Sequence, residues 1–216
     1  MSHVPVRYNI HTPRLFLASV AAKSLDKITP LLPKKPRNQL RVAFVPTAAD
    51  PYEDKWFVKE DRDTLEKMGF DIFDLDIKDK TKRELGRELR NTHVLFIAGG
   101  NTFYLLDKAQ RSGFDRLAKD LVLGKGIIYI GSSAGAVLAG PDIKPIELID
   151  DPSSAPILTS TKGLELTDFV VLPHYGDKEY EEKFEKIIKD YENKYTLIPI
   201  TNEQAVIVEG SNYSIV

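Results

Sequence analysis

A chain of 216 residues, 42% hydrophobic and 29% charged, has the composition of a soluble globular protein and the length to bury one sizeable core. A net charge of -2, without a stripe of lysine and arginine, gives no reason to expect nucleic acid; Lys34-Lys35-Pro36-Arg37 reads as a solvated loop before a strand. Zero cysteines exclude disulfides, thiolate metal ligation and a cysteine nucleophile. No apolar run approaches the roughly 20 residues that span a bilayer, and the start lacks the apolar stretch of a secretory signal, so the cytoplasm is the expected setting.

Short apolar runs alternate with longer amphipathic segments, the pattern of a βαβ protein with a mostly parallel sheet and helices on both faces. Residues 1–13 read as a loose extension ahead of a single domain over 14–216. Expected strands are Arg14–Ser19, Arg41–Pro46, Phe70–Leu75, Val94–Ala98, Ile127–Ile130, Phe169–Leu172 and Thr196–Ile200. Expected helices are Glu53–Met68, stopped by Gly69, then Thr81–Arg90, Thr102–Gln110, Gly113–Leu123 closing at Gly124, and Tyr180–Tyr191. Ala205–Glu209 and Tyr213–Val216, joined by Gly210-Ser211-Asn212, form a terminal β-hairpin. Pro141–Lys162 breaks the rhythm with four prolines and the acids Asp142, Glu147, Asp150 and Asp151. Such an irregular segment suits a lid or a source of catalytic acid, or else a solvated acidic loop.

Within this pattern, Ile127–Ile130 runs into Gly131-Ser132-Ser133-Ala134-Gly135. A strand ending in Gly-x-Ser-x-Gly before small, helix-starting residues is a nucleophile elbow. The turn is so tight that the positions two before and two after the nucleophile lack bulky side chains. Ser133 is flanked at those positions by Gly131 and Gly135, whereas Ser132 would be flanked by Ile130 and Ala134. Ser133 is therefore the expected nucleophile. A flexible loop or a phosphate-cradling turn is the competing reading.

A serine nucleophile needs a base, and there are only four histidines. His3 and His11 fall in the extension. His93 opens a strand, on the wrong edge of an open α/β sheet, whose sites form at the carboxyl ends. His174 follows Phe169–Leu172 on the edge that also holds Ser133, and is the expected general base. An oxyanion hole needs two amides aimed at one point. Ala134 supplies one, and Gly99 or Gly100, where a strand gives way to a helix, supplies the other. A dinucleotide loop there is weaker, because Gly-x-Gly-x-x-Gly is absent. Asn101, Tyr175 and Lys178, beside these groups, are the expected substrate contacts.

Phe96–Leu106, Gly131–Ala136 and Leu172–Tyr175 together resemble the dipeptidase E, or α-aspartyl dipeptidase, family of serine peptidases, a branch of the class I glutamine amidotransferase-like superfamily. The order and spacing agree over residues 14–210. The resemblance implies a three-layer, flavodoxin-like α/β fold, a nucleophile at Ser133, a base at His174 and an oxyanion hole near Gly99 and Gly100. It also implies hydrolysis of short peptides through an acyl-enzyme, without metal or cofactor.

The match departs from the family at two points. The third catalytic residue of the family is an acid either in the irregular segment, where this chain offers Glu147, or near the C-terminal strand. There Asn202 takes the acid's position, with Glu203 beside it. Glu147 is the expected third member. Secondly, aspartyl dipeptidases hold the substrate's aspartate with an arginine after the histidine, and Gly176–Tyr191 has Lys178, Lys183, Lys186 and Lys189 but no arginine. Lysine is a poorer bidentate clamp, so strict Asp-X specificity is not expected. The chain thus reads as a peptidase for dipeptides or small amides, with a silent binding protein on the same fold, or a small serine esterase, as alternatives.

Overall fold

The computed structural model describes residues 11–216. Most of the expected 1–13 extension therefore lies outside the described residues. Of the remainder, His11 donates its amide to the Leu123 carbonyl at 2.9 Å and its ring packs beside Gly126.

A seven-stranded sheet has the order β3-β2-β4-β5-β1-β8-β9. Its parallel part comprises β1 (Arg14–Ala18), β2 (Arg41–Val45), β3 (Asp71–Asp74), β4 (Val94–Ile97) and β5 (Ile128–Ser132). The hairpin of β8 (Ala205–Glu209) and β9 (Asn212–Ile215) joins antiparallel to β1. Two further strands, β6 (Phe169–Leu172) and β7 (Thr196–Pro199), pair in parallel as a separate small sheet. The helices are α1 (Trp56–Lys67), α2 (Lys82–Glu88), α3 (Thr102–Ser112), α4 (Phe114–Lys125), α5 (Ala134–Leu138) and α6 (Glu181–Tyr191).

Alternating strand residues feed two apolar layers, as a pleated strand buried on both faces requires. Leu15, Leu17, Ala43, Val45, Leu95, Ile97 and Tyr129 pack with α2 to α5 on one side. Phe16, Ala18, Val42, Phe44, Phe96, Ile128 and Ile130 face α1 and the 3-10 turns of Leu25–Leu31 on the other. At about 25 cal/mol per Å² this burial is the main stabilising term.

Local chemistry sets the helix ends. Thr81 and Glu84 form a reciprocal capping box at the start of α2, and the Asn101 side chain accepts the Tyr104 amide at the start of α3. α4 runs past Gly124 and ends at Gly126, which takes φ 68. That left-handed residue, rather than the earlier glycine, stops the helix. Among the described residues no helix is long and apolar enough to cross a membrane.

Candidate active site

The carboxyl ends of the strands deliver the site. Ser19 follows β1, Gly99 and Gly100 follow β4, Ser133 follows β5, His174 follows β6 and Asn202 follows β7. Ser133 turns at φ 46, ψ -106, a strained conformation that the surroundings must impose. They impose it through close approach. A Cβ on Gly135 would lie 2.2 Å from the Ile97 carbonyl oxygen, and one on Gly131 would lie 2.4 Å from the Gly135 carbonyl. The buried Tyr129 hydroxyl braces the turn by donating to the Gly135 carbonyl at 2.7 Å.

Ser133 Oγ lies 2.8 Å from His174 Nε2. His174 is itself at positive φ (64), and its Nδ1 lies 2.7 Å from Asn202 Oδ1. Asn202 Nδ2 donates to both oxygens of Asp177 at 3.0 Å. Ser19 Oγ accepts the His174 amide at 2.8 Å and donates to Asn202 Oδ1 at 3.1 Å. The result is a linear chain, Ser133–His174–Asn202–Asp177, pinned from the side by Ser19. Ser132 points elsewhere: its Oγ accepts the Ala21 amide at 3.1 Å in a buried setting. Its hydroxyl also bonds to Asp61.

A cavity of about 290 Å³ opens over Ser133. Gly99, Gly100 and Ala134 line it, and the Gly99 Cα lies close enough that an added Cβ would sit 3.3 Å from Ser133 Cβ. Gly100 adopts φ 139, and a Cβ there would lie 2.2 Å from the Ala48 carbonyl oxygen, so only glycine fits. One wall is apolar, with Phe57, Val137, Ile146 and Ile149, and Tyr52, Trp56 and Tyr180 also line the cavity.

Two carboxylates also line the cavity, and among the described residues no lysine or arginine does. Asp61 is buried; desolvation pushes its carboxyl up to about 7, opposed by hydrogen bonds from Ser132 and the Ala22 amide. Asp150 is half-buried, and desolvation pushes its carboxyl up, opposed by two hydrogen bonds from Thr102 and by the charge of the nearby His174. Burial, and then Asp150, push the Tyr52 phenol up to about 12.

The model of peptidase family S51 matches residues 15–216. The chain belongs to this family. It is 36% identical over 170 residues to an uncharacterized peptidase of Listeria monocytogenes, covering 78% of this chain and 82% of the relative. It is 33% identical to an uncharacterized peptidase of Pasteurella multocida, covering 91% of this chain and 94% of the relative. The crystal structure of a candidate peptidase E protein from Listeria monocytogenes superposes with a TM-score of 0.87 at 32% identity, over 95% of this chain and 98% of that one. The mostly parallel sheet with flanking helices is thus the peptidase E arrangement.

Ser133 and His174 come together as expected, whereas Glu147 does not join them. The Glu147 carboxylate accepts from the Tyr191 hydroxyl at 2.9 Å and pairs with Lys144, on the outside of the irregular segment. Glu203, the other acid weighed, is exposed and pairs with Lys23. Asn202 occupies the place beside the histidine.

The expected substrate contacts are also corrected. Asn101 is buried and spends its amide capping α3 and on the Asp151 carbonyl. Tyr175 packs outward against Phe184, and Lys178 is exposed; neither lines the cavity. Sequence reading missed Ser19, Asp61 and Asp177 and named Asp150 only as one acid of the irregular segment. Two of these carried a signal: Ser19 ends a strand on the active edge, and Asp177 lies three residues past His174.

Proposed function

We propose that this S51 peptidase is a serine hydrolase that cleaves dipeptides or similarly small amides through an acyl-enzyme on Ser133, with residues 14–216 as one peptidase unit. The observation that carries the reading is the 2.8 Å contact between Ser133 Oγ, held in the elbow conformation, and His174 Nε2.

His174 accepts the Ser133 proton at Nε2 as Oγ attacks the scissile carbonyl. The resulting oxyanion sits against the amides of Ala134 and of Gly99 or Gly100. His174 then returns the proton to the leaving amine, and water repeats the cycle against the acyl-enzyme. Asn202 holds the imidazole through Nδ1, the role an asparagine takes in Cys-His-Asn sites. This mechanism needs no metal or cofactor, and an arginine-free Gly176–Tyr191 argues against a strict requirement for N-terminal aspartate.

The test is labelling by a fluorophosphonate, followed by dipeptide hydrolysis with wild type and Ser133→Ala. Labelling at Ser133 with activity lost in the variant supports the reading. A folded chain that neither labels nor turns over would instead be a binding protein on this fold.

A further inference from the structure

The Asp150 carboxylate has two oxygens with different surroundings. Oδ2 takes both bonds from Thr102, the backbone amide at 2.9 Å and the hydroxyl. Among the described residues Oδ1 accepts no hydrogen bond, and no lysine or arginine there pairs with Asp150. Oδ1 is therefore free to meet a cation or donor that enters the cavity. Thr102 opens α3 two residues after Gly100, and both Thr102 and Asp150 line the same cavity as Ser133.

In a dipeptide the scissile carbonyl belongs to the first residue, and its α-ammonium stands one carbon away. A site that acylates Ser133 with that residue must therefore place the ammonium inside this cavity. The acids Asp61 and Asp150 line it, Asp61 holding its proton until about pH 7, and among the described residues no lysine or arginine does. That field attracts an ammonium and repels a second carboxylate. The rest of the first residue would meet Phe57, Val137, Ile146 and Ile149.

We propose that Asp150 anchors the α-ammonium of the substrate, so that the cavity selects small peptides with a free amino terminus and an uncharged, apolar first side chain. The assignment rests on the serine-hydrolase reading and deepens it. Asp150 therefore both caps α3 and sets specificity, one oxygen for each task.

The experiment compares kcat/KM for Leu-Ala, N-acetyl-Leu-Ala and Asp-Ala on wild type and Asp150→Asn, with fluorophosphonate labelling at Ser133 as the reference for a working nucleophile. Wild type should prefer the free over the acetylated peptide by about a hundredfold, the size expected when a hydrogen bond to a charged group is lost. It should prefer Leu-Ala over Asp-Ala by at least about tenfold. In Asp150→Asn the first ratio should collapse toward one.

A purely structural role would lower both substrates equally and leave the ratio intact, which overturns the proposal. So would an Asp-Ala preference. Should the variant fail to fold, wild type alone decides: leucine amide should protect Ser133 from labelling, and N-acetyl-leucine amide should not. Equal protection overturns the assignment. Failure to label at Ser133 rejects the parent reading instead, whereas labelling without amine discrimination rejects only this one.

Discussion

Asn202 donates its side-chain amide to both oxygens of Asp177 at 3.0 Å, and this fixes which way the asparagine faces. The nitrogen must point at the carboxylate, so the oxygen points at His174 Nδ1, 2.7 Å away. An acceptor at Nδ1 puts the proton there and leaves Nε2 bare toward Ser133. The Asp177 carboxylate thus reaches the imidazole only through the Asn202 amide.

Removing Asp177 should release that constraint. In Asp177→Ala the amide can flip and present its NH2 to Nδ1, which favours the wrong tautomer. Labelling of Ser133 by fluorophosphonate should slow by about 10- to 100-fold, on the order of 1.4 to 3 kcal/mol. Substrate KM should change little, since Asp177 does not line the cavity. A labelling rate equal to wild type would mean that Asp177 does not orient the amide.

The adjacent serines should separate cleanly. Ser133→Ala should lose turnover by several orders of magnitude. Ser132→Ala should keep most of it, and cost about 1–2 kcal/mol of stability, because the buried Ala21 amide loses its acceptor. Dipeptide turnover and urea denaturation of both variants check this. Equal activity losses would reject the assignment of the nucleophile.

The sheet and the Ser133–His174 pair were legible because local rules act strongly there. Buried strands read as apolar runs, and the glycines at two positions either side of Ser133 are demanded by contacts near 2.2–2.4 Å. The partner of His174 was legible only in part: Asn202 already stands where the resemblance puts an acid, but a neutral amide reads as a weaker candidate than Glu147 until the fold brings the Asp177 carboxylate behind it. Asp150 was visible as an acid of the irregular segment, yet only its placement against Thr102 and the cavity gives it a task. The separate pairing of β6 with β7 also escaped, because apolar runs do not state which sheet they join.

Glycine substitutions give a graded test of the elbow. Gly135→Ala drives a methyl to 2.2 Å from the Ile97 carbonyl oxygen, against backbone that cannot yield without moving β4. It should lose more than about 3 kcal/mol or fail to fold. Gly86→Ala lies inside α2 with nothing within 4 Å of the new methyl. It should gain about 0.5–1 kcal/mol from helix propensity. Thermal melts of both read the difference. A destabilised Gly86→Ala would mean that α2 makes contacts its surroundings do not show.

Asp61 should leave a signature in the pH dependence of stability. Its folded carboxyl titrates near 7, chiefly because burial disfavours the charge, against an ordinary value of 3.8. Between those values the folded state keeps a proton that the unfolded state has released. Stability contributed by this group is therefore full below about pH 4 and lost as pH rises toward 7. Above that the penalty is constant, at most on the order of 4 kcal/mol. Asp61→Asn removes the ionisation and keeps an oxygen for the Ala22 amide. The variant should match wild type near pH 4 and become progressively more stable than it up to pH 8. Urea unfolding of both proteins at pH 4, 6 and 8 isolates the term, since the other carboxylates cancel in the difference. A difference that does not vary with pH would show that Asp61 is ionised in the folded protein throughout, held by Ser132 and the Ala22 amide more strongly than burial opposes it.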